Sequence, residues 1–240
     1  MNIAIVGNGR MGRTLDAVCA RRDDVRVIGH VGRGGCESLD ALDGLDAALD
    51  FSAPENLPML LSGAVRRRIP LVIGTTGMSS AQGEAIRAAS RRIPIVWSEN
   101  FSVGVTVLVR LARLAAQALG REFDMEIVET HHNQKADAPS GTAKLILRQI
   151  DPEGLYVPVY GRSGRTGARG REIGVHAVRG GTAAGEHSLR FFGQMEELEL
   201  RHRADSREIF AQGALRAAVF AREAEPGLYD VEDVLFGGDG

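Results

Sequence analysis

The sequence predicts an α/β chain in two parts: a parallel sheet wrapped by helices, then an α+β domain on an open mixed or antiparallel sheet. Three observations predict it. A short apolar strand opens the chain and runs into a glycine-rich turn and a helical pattern. Strands and helical patterns then alternate through the first hundred residues, as they do in a parallel sheet with helices on both faces. Beyond about residue 119 the hydrophobic period changes to two and few helical patterns remain, which points to a sheet rich in antiparallel pairs.

The first strand is Asn2–Val6. Gly7, Asn8, Gly9, Arg10, Met11 and Gly12 follow as G-x-G-x-x-G, and a helical pattern runs on to about Arg22 with Leu15, Val18 and Cys19 on one face. Each glycine has a physical task in a dinucleotide site: a tight turn, close backbone approach to a pyrophosphate, and close helix–strand packing. The helix N-terminus then offers its free N–H groups to phosphate. A bare glycine motif also fits an ordinary turn; the strand before it and the helix after it favour a Rossmann-type dinucleotide site.

The second strand is Val25–His30. An acid that reads the ribose 2′-hydroxyl is expected about 20 residues beyond the motif, yet the segment there reads His30-Val31-Gly32-Arg33-Gly34. Arg33 offers a cation to a 2′-phosphate, which leans toward NADPH over NADH, or toward use of both. The other reading makes Arg33 one more surface arginine in an arginine-rich chain.

Ala47–Phe51, Leu71–Gly74 and Ile95–Trp97 read as further strands, with helices over Glu55–Arg67 and Ser79–Arg91. Two strand ends carry small polar runs. Gly74, Thr75 and Thr76 precede Gly77; Ser98, Glu99 and Asn100 precede Phe101. Ligands bind beyond the carboxyl ends of such strands, so these runs are candidates for positioning a nicotinamide. Gly74–Gly77 alone also fits a plain turn.

Val103–Leu119 is a long apolar helix expected to link the two parts, with Val107, Leu108, Leu111, Leu114 and Ala115 at helical spacing. Phe123–Thr130, Glu172–Arg179, His187–Phe192 and Glu196–Arg203 alternate as about four strands. Ile209–Arg222 is an amphipathic helix expected to return to the first domain with the tail Leu228–Phe236. The expected domains are 1–102 with 209–240, binding the dinucleotide, and 103–208, binding substrate.

Composition narrows the class. With 240 residues, 44% of them hydrophobic, the chain has ample material for a core. A formal net charge of -2 argues against nucleic acid or an anionic membrane as partner. The arginine- and glycine-rich stretch Gly161–Arg171 has no aromatic partners for bases, which favours a plain loop over an RNA contact. The N-terminus lacks a basic region with a cleavage site, and no apolar run reaches the roughly 18 residues of a membrane span. Cys19 and Cys36 are too few for a disulfide scaffold. A cytoplasmic location follows as the expectation.

Chemistry concentrates in Glu129-Thr130-His131-His132-Asn133-Gln134-Lys135-Ala136-Asp137-Ala138-Pro139-Ser140-Gly141-Thr142, which leaves a strand and enters a helix over Ala143–Ile150. Two histidines and a lysine place three proton donors in one loop. Adjacent strand residues face opposite ways, so only one of His131 and His132 need face a given ligand atom. Ser140, Gly141 and Thr142 form a helix N-cap whose exposed N–H groups suit a carboxylate. Lys135 and Lys144 are the only lysines in the chain. A lysine kept where arginine serves elsewhere fits a titratable proton donor. A metal site is the alternative for the histidine pair, but no cysteine cluster or HExxH accompanies it, so no metal is expected. An ordinary capped loop is the other alternative.

The loop resembles the signature of the 4-hydroxy-tetrahydrodipicolinate reductases (dihydrodipicolinate reductases), E-x-H-H-x-x-K-x-D-A-P-S-G-T, at every fixed position. The resemblance spans nearly the whole chain, through VGNGRMGR, IGTTG, SENFSVGV, YGRSGRTGARG, IGVHAVRGGTAAGEH and HRADSREIFAQGALRAA. Two departures stand out: the phosphate loop is the shorter of the family's forms, and Gly32 stands where members often carry an acid. The resemblance implies His131 as general acid and Lys135 as a further proton donor. It implies substrate contact by His132, a carboxylate held by Gly141 and Thr142, and cofactor contacts from Gly7–Gly12, Gly74–Thr76 and Ser98–Phe101. It further implies reduction of a small cyclic dicarboxylate by NADPH or NADH to tetrahydrodipicolinate, in diaminopimelate and lysine biosynthesis. A homotetramer joined through the second domain's sheet is also implied. The alternative is another two-domain Rossmann dehydrogenase, such as one acting on aspartate.

Overall fold

The computed structural model describes residues 1–32, 35 and 38–237. The chain divides into two compact units, Met1–Val103 with Glu208–Gly240, and Gly104–Arg207.

Unit 1 is built from β1 (Asn2–Val6), α1 (Arg10–Cys19), β2 (Arg26–Val31), β3 (Ala47–Asp50), α2 (Leu57–Arg67), β4 (Leu71–Ile73), α3 (Ser80–Ser90) and β5 (Pro94–Trp97). The C-terminal segment adds α6 (Glu208–Glu223), β11 (Gly227–Tyr229) and α7 (Val231–Phe236). Its six strands lie in the order β11-β5-β4-β3-β1-β2 and pair in parallel. The central strands β3 and β4 are buried at every residue, as both faces of a parallel sheet must be. One face is sealed by Leu15 and Val18 of α1 with Ala211, Ala214 and Ala218 of α6. The other is sealed by Leu57, Leu60 and Ala64 of α2 with Ile86 of α3. Helix α3 opens on a capping box between Ser79 and Gln82, a device worth about 1 kcal/mol. The alternation read from sequence is present, and β11 is an addition to it. Three residues in a tail are too few to show a period.

Unit 2 contains α4 (Val103–Leu119, which starts at the boundary), β6 (Asp124–His131), α5 (Gly141–Ile150), β7 (Val157–Tyr160), β8 (Glu172–Arg179), β9 (Gly185–Phe192) and β10 (Glu197–Ala204). The sheet order is β10-β9-β6-β8-β7. Strand β9 pairs antiparallel with β10 and β6, whereas β6, β8 and β7 run parallel. The sheet is therefore mixed, with five strands rather than about four. Strand β7 carries Pro158, which lacks the N–H that a central strand needs; the strand survives because it lies at the edge.

Helices α4 and α5 supply Val105, Leu108, Ala112, Ala143 and Ile146 to a core shared with Met125, Ile127, Ile173, Leu189 and Phe191 of the sheet. The buried stripe of α4 differs from the sequence expectation. Val105, Leu108, Val109 and Ala112 face the core, while Leu111 and Leu114 are 46% and 53% exposed. The helix is apolar nearly all round, so its pattern did not single out a face. Among the described residues no helix is long and apolar enough to cross a membrane.

Candidate active site

In unit 1 the glycine turn joins β1 to α1. Gly7 has φ 101°, and a Cβ there would stand 2.7 Å from the carbonyl oxygen of Phe51. A Cβ on Gly12 would stand 2.1 Å from the carbonyl oxygen of Gly7. Gly9 is different: its Cβ would meet nothing within 4 Å. Gly9 also caps α1 without any side-chain hydrogen bond. The first and third glycines are thus required by packing, and the middle one leaves backbone open to a ligand. Asn8, Gly9 and Arg10 are exposed and Met11 is half-buried.

The other two polar runs lie at the ends of β4 and β5. The segment after β3 ties the strand ends together. Phe51 donates its N–H to Val6, Gly74 to Asp50, and Ser98 to Ile73. The Phe51 ring packs edge-on against Phe101, with centroids 5.7 Å apart. It also fills the space where a Cβ on Gly74 would lie. Thr75 is buried and donates its hydroxyl to Asp50 at 2.8 Å, while accepting the N–H of Ser52 at 2.9 Å. Burial pushes the Asp50 carboxyl above its usual range, against the hydrogen bonds from Ser52 and Thr75. Thr75 and the Phe101 ring are therefore occupied inside the protein, whereas Thr76 and Glu99 are exposed. Ser98 and Asn100 close a tight turn, with Ser98 Oγ donating to the carbonyl of Asn100 at 2.9 Å. Arg33 lies outside the described residues. Sequence reading passed over Asp50 and Ser52, which look like the end of one more strand.

In unit 2, β6 buries Met125, Ile127, Glu129 and His131 at alternate positions. His131 therefore faces inward and His132 turns away. The Nδ1 of His131 lies 2.5 Å from Glu129 Oε2. Glu129 is wholly buried; its Oε1 accepts the N–H of Ser140 at 3.1 Å. Arg179 donates to both Glu129 oxygens, at 2.9 and 2.8 Å, and to the carbonyl of Asp137 at 2.6 Å. Burial alone raises the Glu129 carboxyl, but Arg179, His131 and the Ser140 N–H outweigh it and hold it below the usual range. Burial lowers the His131 ring, with Glu129 opposing.

His187 packs edge-on against His131, with centroids 5.2 Å apart, and its Nε2 lies 3.1 Å from Ser140 Oγ. Burial and the neighbouring His131 push its pKa down to about 4. Ser140 caps α5 by accepting the N–H of Ala143. Gly141, in the first turn, is exposed and has open space at its Cβ position; Thr142 beside it is half-buried. Lys135 Nζ sits 2.8 Å from Asp137 Oδ1, and this contact holds the Asp137 carboxyl below its usual range. His132 Nε2 lies 3.2 Å from Arg207 Nη2. Arginine only donates, so the His132 ring nitrogen is the acceptor in that contact.

The loop residues singled out from sequence thus gather at the end of β6 and the start of α5. Sequence reading placed Glu129 at the head of the loop without giving it a role, and missed Arg179, His187 and Arg207 as functional candidates. Glu129 had a legible signal, because it stands two residues before His131 on an alternating strand. The others are remote in sequence; they stand in runs that carry the resemblance, but no local pattern marks their role. Among the described residues no group of three or more His, Cys, Asp or Glu side chains is placed to hold a metal ion.

Two family models cover the two units. One described as dihydrodipicolinate reductase, N-terminus, matches residues 1–101. One described as dihydrodipicolinate reductase, C-terminus, matches residues 104–235. The chain belongs to the dihydrodipicolinate reductase family. Curated relatives in this reductase family include the 4-hydroxy-tetrahydrodipicolinate reductase of Akkermansia muciniphila, 43% identical over 98% of this chain and 98% of its own. That of Pseudoalteromonas atlantica is 41% identical over 97% of this chain and 98% of its own. Among solved structures, a dipicolinate-bound dihydrodipicolinate reductase from Paenisporosarcina sp. TG-14 matches the fold with a TM-score of 0.80. It is 23% identical and covers 98% of this chain and 99% of its own. A reductase of this family on a Rossmann-type sheet takes its electrons from a nicotinamide cofactor. The open backbone at Gly9 and the uncapped start of α1 fit the phosphates of such a group.

Proposed function

We propose that this chain reduces 4-hydroxy-tetrahydrodipicolinate to tetrahydrodipicolinate in diaminopimelate and lysine biosynthesis. The observation that carries the reading is the loop Glu129–Thr142. It folds into a buried imidazole at one end and an N-capped helix at the other.

When bound, the reduced nicotinamide supplies a hydride. The backbone at Gly7–Gly12 and the first turn of α1 would hold its phosphates, and the strand ends at Gly74–Thr76 and Ser98–Phe101 would seat the ring. Arg33 would take the 2′-phosphate of NADPH. In unit 2 the first turn of α5, with Gly141 and Thr142, takes one carboxylate of the dianionic substrate through N–H groups and the helix dipole; Ser140, whose own N–H is given to Glu129, caps that turn rather than binding the carboxylate itself. His132 contacts the same substrate. The reduction takes up one hydride and one proton and releases water. His131 gives that proton as general acid; Lys135, poised by Asp137, gives a proton to the departing hydroxyl, and the neighbouring ring carbon returns one as water leaves, so the net uptake stays at one. A well-placed acid is worth about 10²–10⁴ in rate. The reading carries with it a cytoplasmic homotetramer, expected to scatter light as four chains.

The test mixes purified protein with freshly made 4-hydroxy-tetrahydrodipicolinate and either NADPH or NADH, and follows absorbance of the reduced cofactor. Substrate-dependent oxidation is expected with at least one of them. No oxidation with either, or cofactor turnover with aspartate instead, overturns the assignment.

A further inference from the structure

Glu129 raises a physical question. The inward positions before it on β6 are Met125 and Ile127, and an apolar residue at 129 would extend that core. Instead the strand buries a carboxylate completely. Replacing a buried ion pair by apolar residues is often neutral or stabilising, so stability alone gives little reason for it. Its partners are specific. Oε2 meets His131 Nδ1 at 2.5 Å, Oε1 takes the Ser140 N–H, and Arg179 grips both oxygens.

A carboxylate accepts and never donates when ionised, so the contact fixes the proton of a neutral His131 ring on Nδ1. The ring is thereby oriented and Nε2 becomes the atom left for substrate. A Cβ on Gly185 would stand 3.1 Å from that Nε2, so glycine keeps the approach uncrowded. The groups facing the ring come from every neighbouring element. They are Glu129 on β6, Arg179 on β8, His187 on β9, and Lys135 in the loop, with His202 of β10 acting on His187 in turn. Of these, only Glu129 favours the charged ring; burial, Lys135 and Arg179 disfavour it.

We propose that Glu129 is a positioning residue of the reduction, holding His131 with Nε2 toward the substrate and stabilising the imidazolium from which the proton is given. This rests on His131 being the acid. Arg179 has a related part. It keeps Glu129 ionised, and through the carbonyl of Asp137 it anchors the loop that bears Lys135.

The test compares Glu129→Gln, Glu129→Asp and His131→Ala. Glu129→Gln keeps the shape and removes the charge; kcat is expected to fall about a hundredfold with KM for the cofactor unchanged. The alkaline limb of the kcat–pH profile, where the acid loses its proton, moves to lower pH because the ring has lost its stabilising charge. Glu129→Asp recovers part of the rate. The double variant with His131→Ala is no slower than His131→Ala alone. Normal turnover in Glu129→Gln, or a loss that adds in full to that of His131→Ala, overturns the proposal while leaving His131 as the acid. Normal turnover in His131→Ala removes the acid assignment itself and the proposal with it. Nitrogen NMR of the His131 ring in the unsubstituted protein is independent of whether a variant folds: a neutral ring protonated on Nδ1 supports the proposal, and one protonated on Nε2 overturns it.

Discussion

Lys135 and Arg33 show how much a single side chain can be asked to do. The Lys135 side chain is 21% exposed and its ammonium is held by Asp137, so it is oriented yet reachable. Lys135→Ala is expected to lower turnover at least about tenfold, with NADPH affinity by fluorescence titration close to normal. Lys135→Arg is expected to restore little, since guanidinium keeps the charge but does not give up its proton. Unchanged turnover in the alanine variant removes Lys135 from the mechanism. For Arg33 the contrast is between cofactors. Arg33→Ala should weaken NADPH much more than NADH, because only the former carries the 2′-phosphate. Equal losses on both, measured by titration, refute that role.

The glycine turn is best tested as an element, because its glycines do different things. A Cβ at position 12 collides with the backbone of Gly7, whereas one at position 9 meets nothing within 4 Å. Gly12→Ala is therefore expected to destabilise the fold by a few kcal/mol, in the range of core overpacking, and to lower the melting temperature. Gly9→Ala should melt like the unsubstituted protein and still bind NADPH more weakly, by about tenfold or more, because the methyl occupies space that the pyrophosphate needs. A normal affinity in Gly9→Ala would separate this turn from the cofactor. The same logic explains α6, where Gly213 brings the helix against the carbonyl of Phe101; a Cβ there would lie 1.7 Å from that oxygen.

Across the whole molecule, stability in acid depends on buried groups that resist protonation or need to stay charged. His187 has its pKa pushed from 6.5 down to about 4 in the folded chain. The unfolded chain binds the proton first as pH falls, so stability is lost between pH 6.5 and 4, by an amount on the order of 3 kcal/mol. His131 shifts in the same direction. A second window lies lower. Glu126 is held at about 2 by Arg162, His176 and Arg169 against its own burial, so its contribution fades as pH falls from 4.5 toward 2. Melting temperatures of His187→Gln between pH 6.5 and 4.5 should fall less steeply than those of the unsubstituted protein. An unchanged slope would rule out His187 as the titrating group.

Much of this was legible in the chain itself. The glycine turn, the parallel alternation of unit 1 and the inward–outward alternation of β6 are local patterns, because burial of one face imposes its period on neighbouring residues. The loop from His131 to Thr142 was equally legible, since strand end, donors and helix cap are contiguous. Where every side of an element is apolar, as in α4, or the element is a short strand at a sheet edge, as in β7 and β11, the period carries no information and only packing decided the outcome. The tertiary structure alone also decided what surrounds the imidazole. Arg179 comes 50 residues after Glu129 and His187 comes 47 after Ser140. They meet because β8 and β9 flank β6 in register. Nothing in a local run of residues encodes which strand lies beside which. That choice is made by the burial of the whole sheet, and it brings Arg179 to the Glu129 carboxylate and the His187 ring to His131.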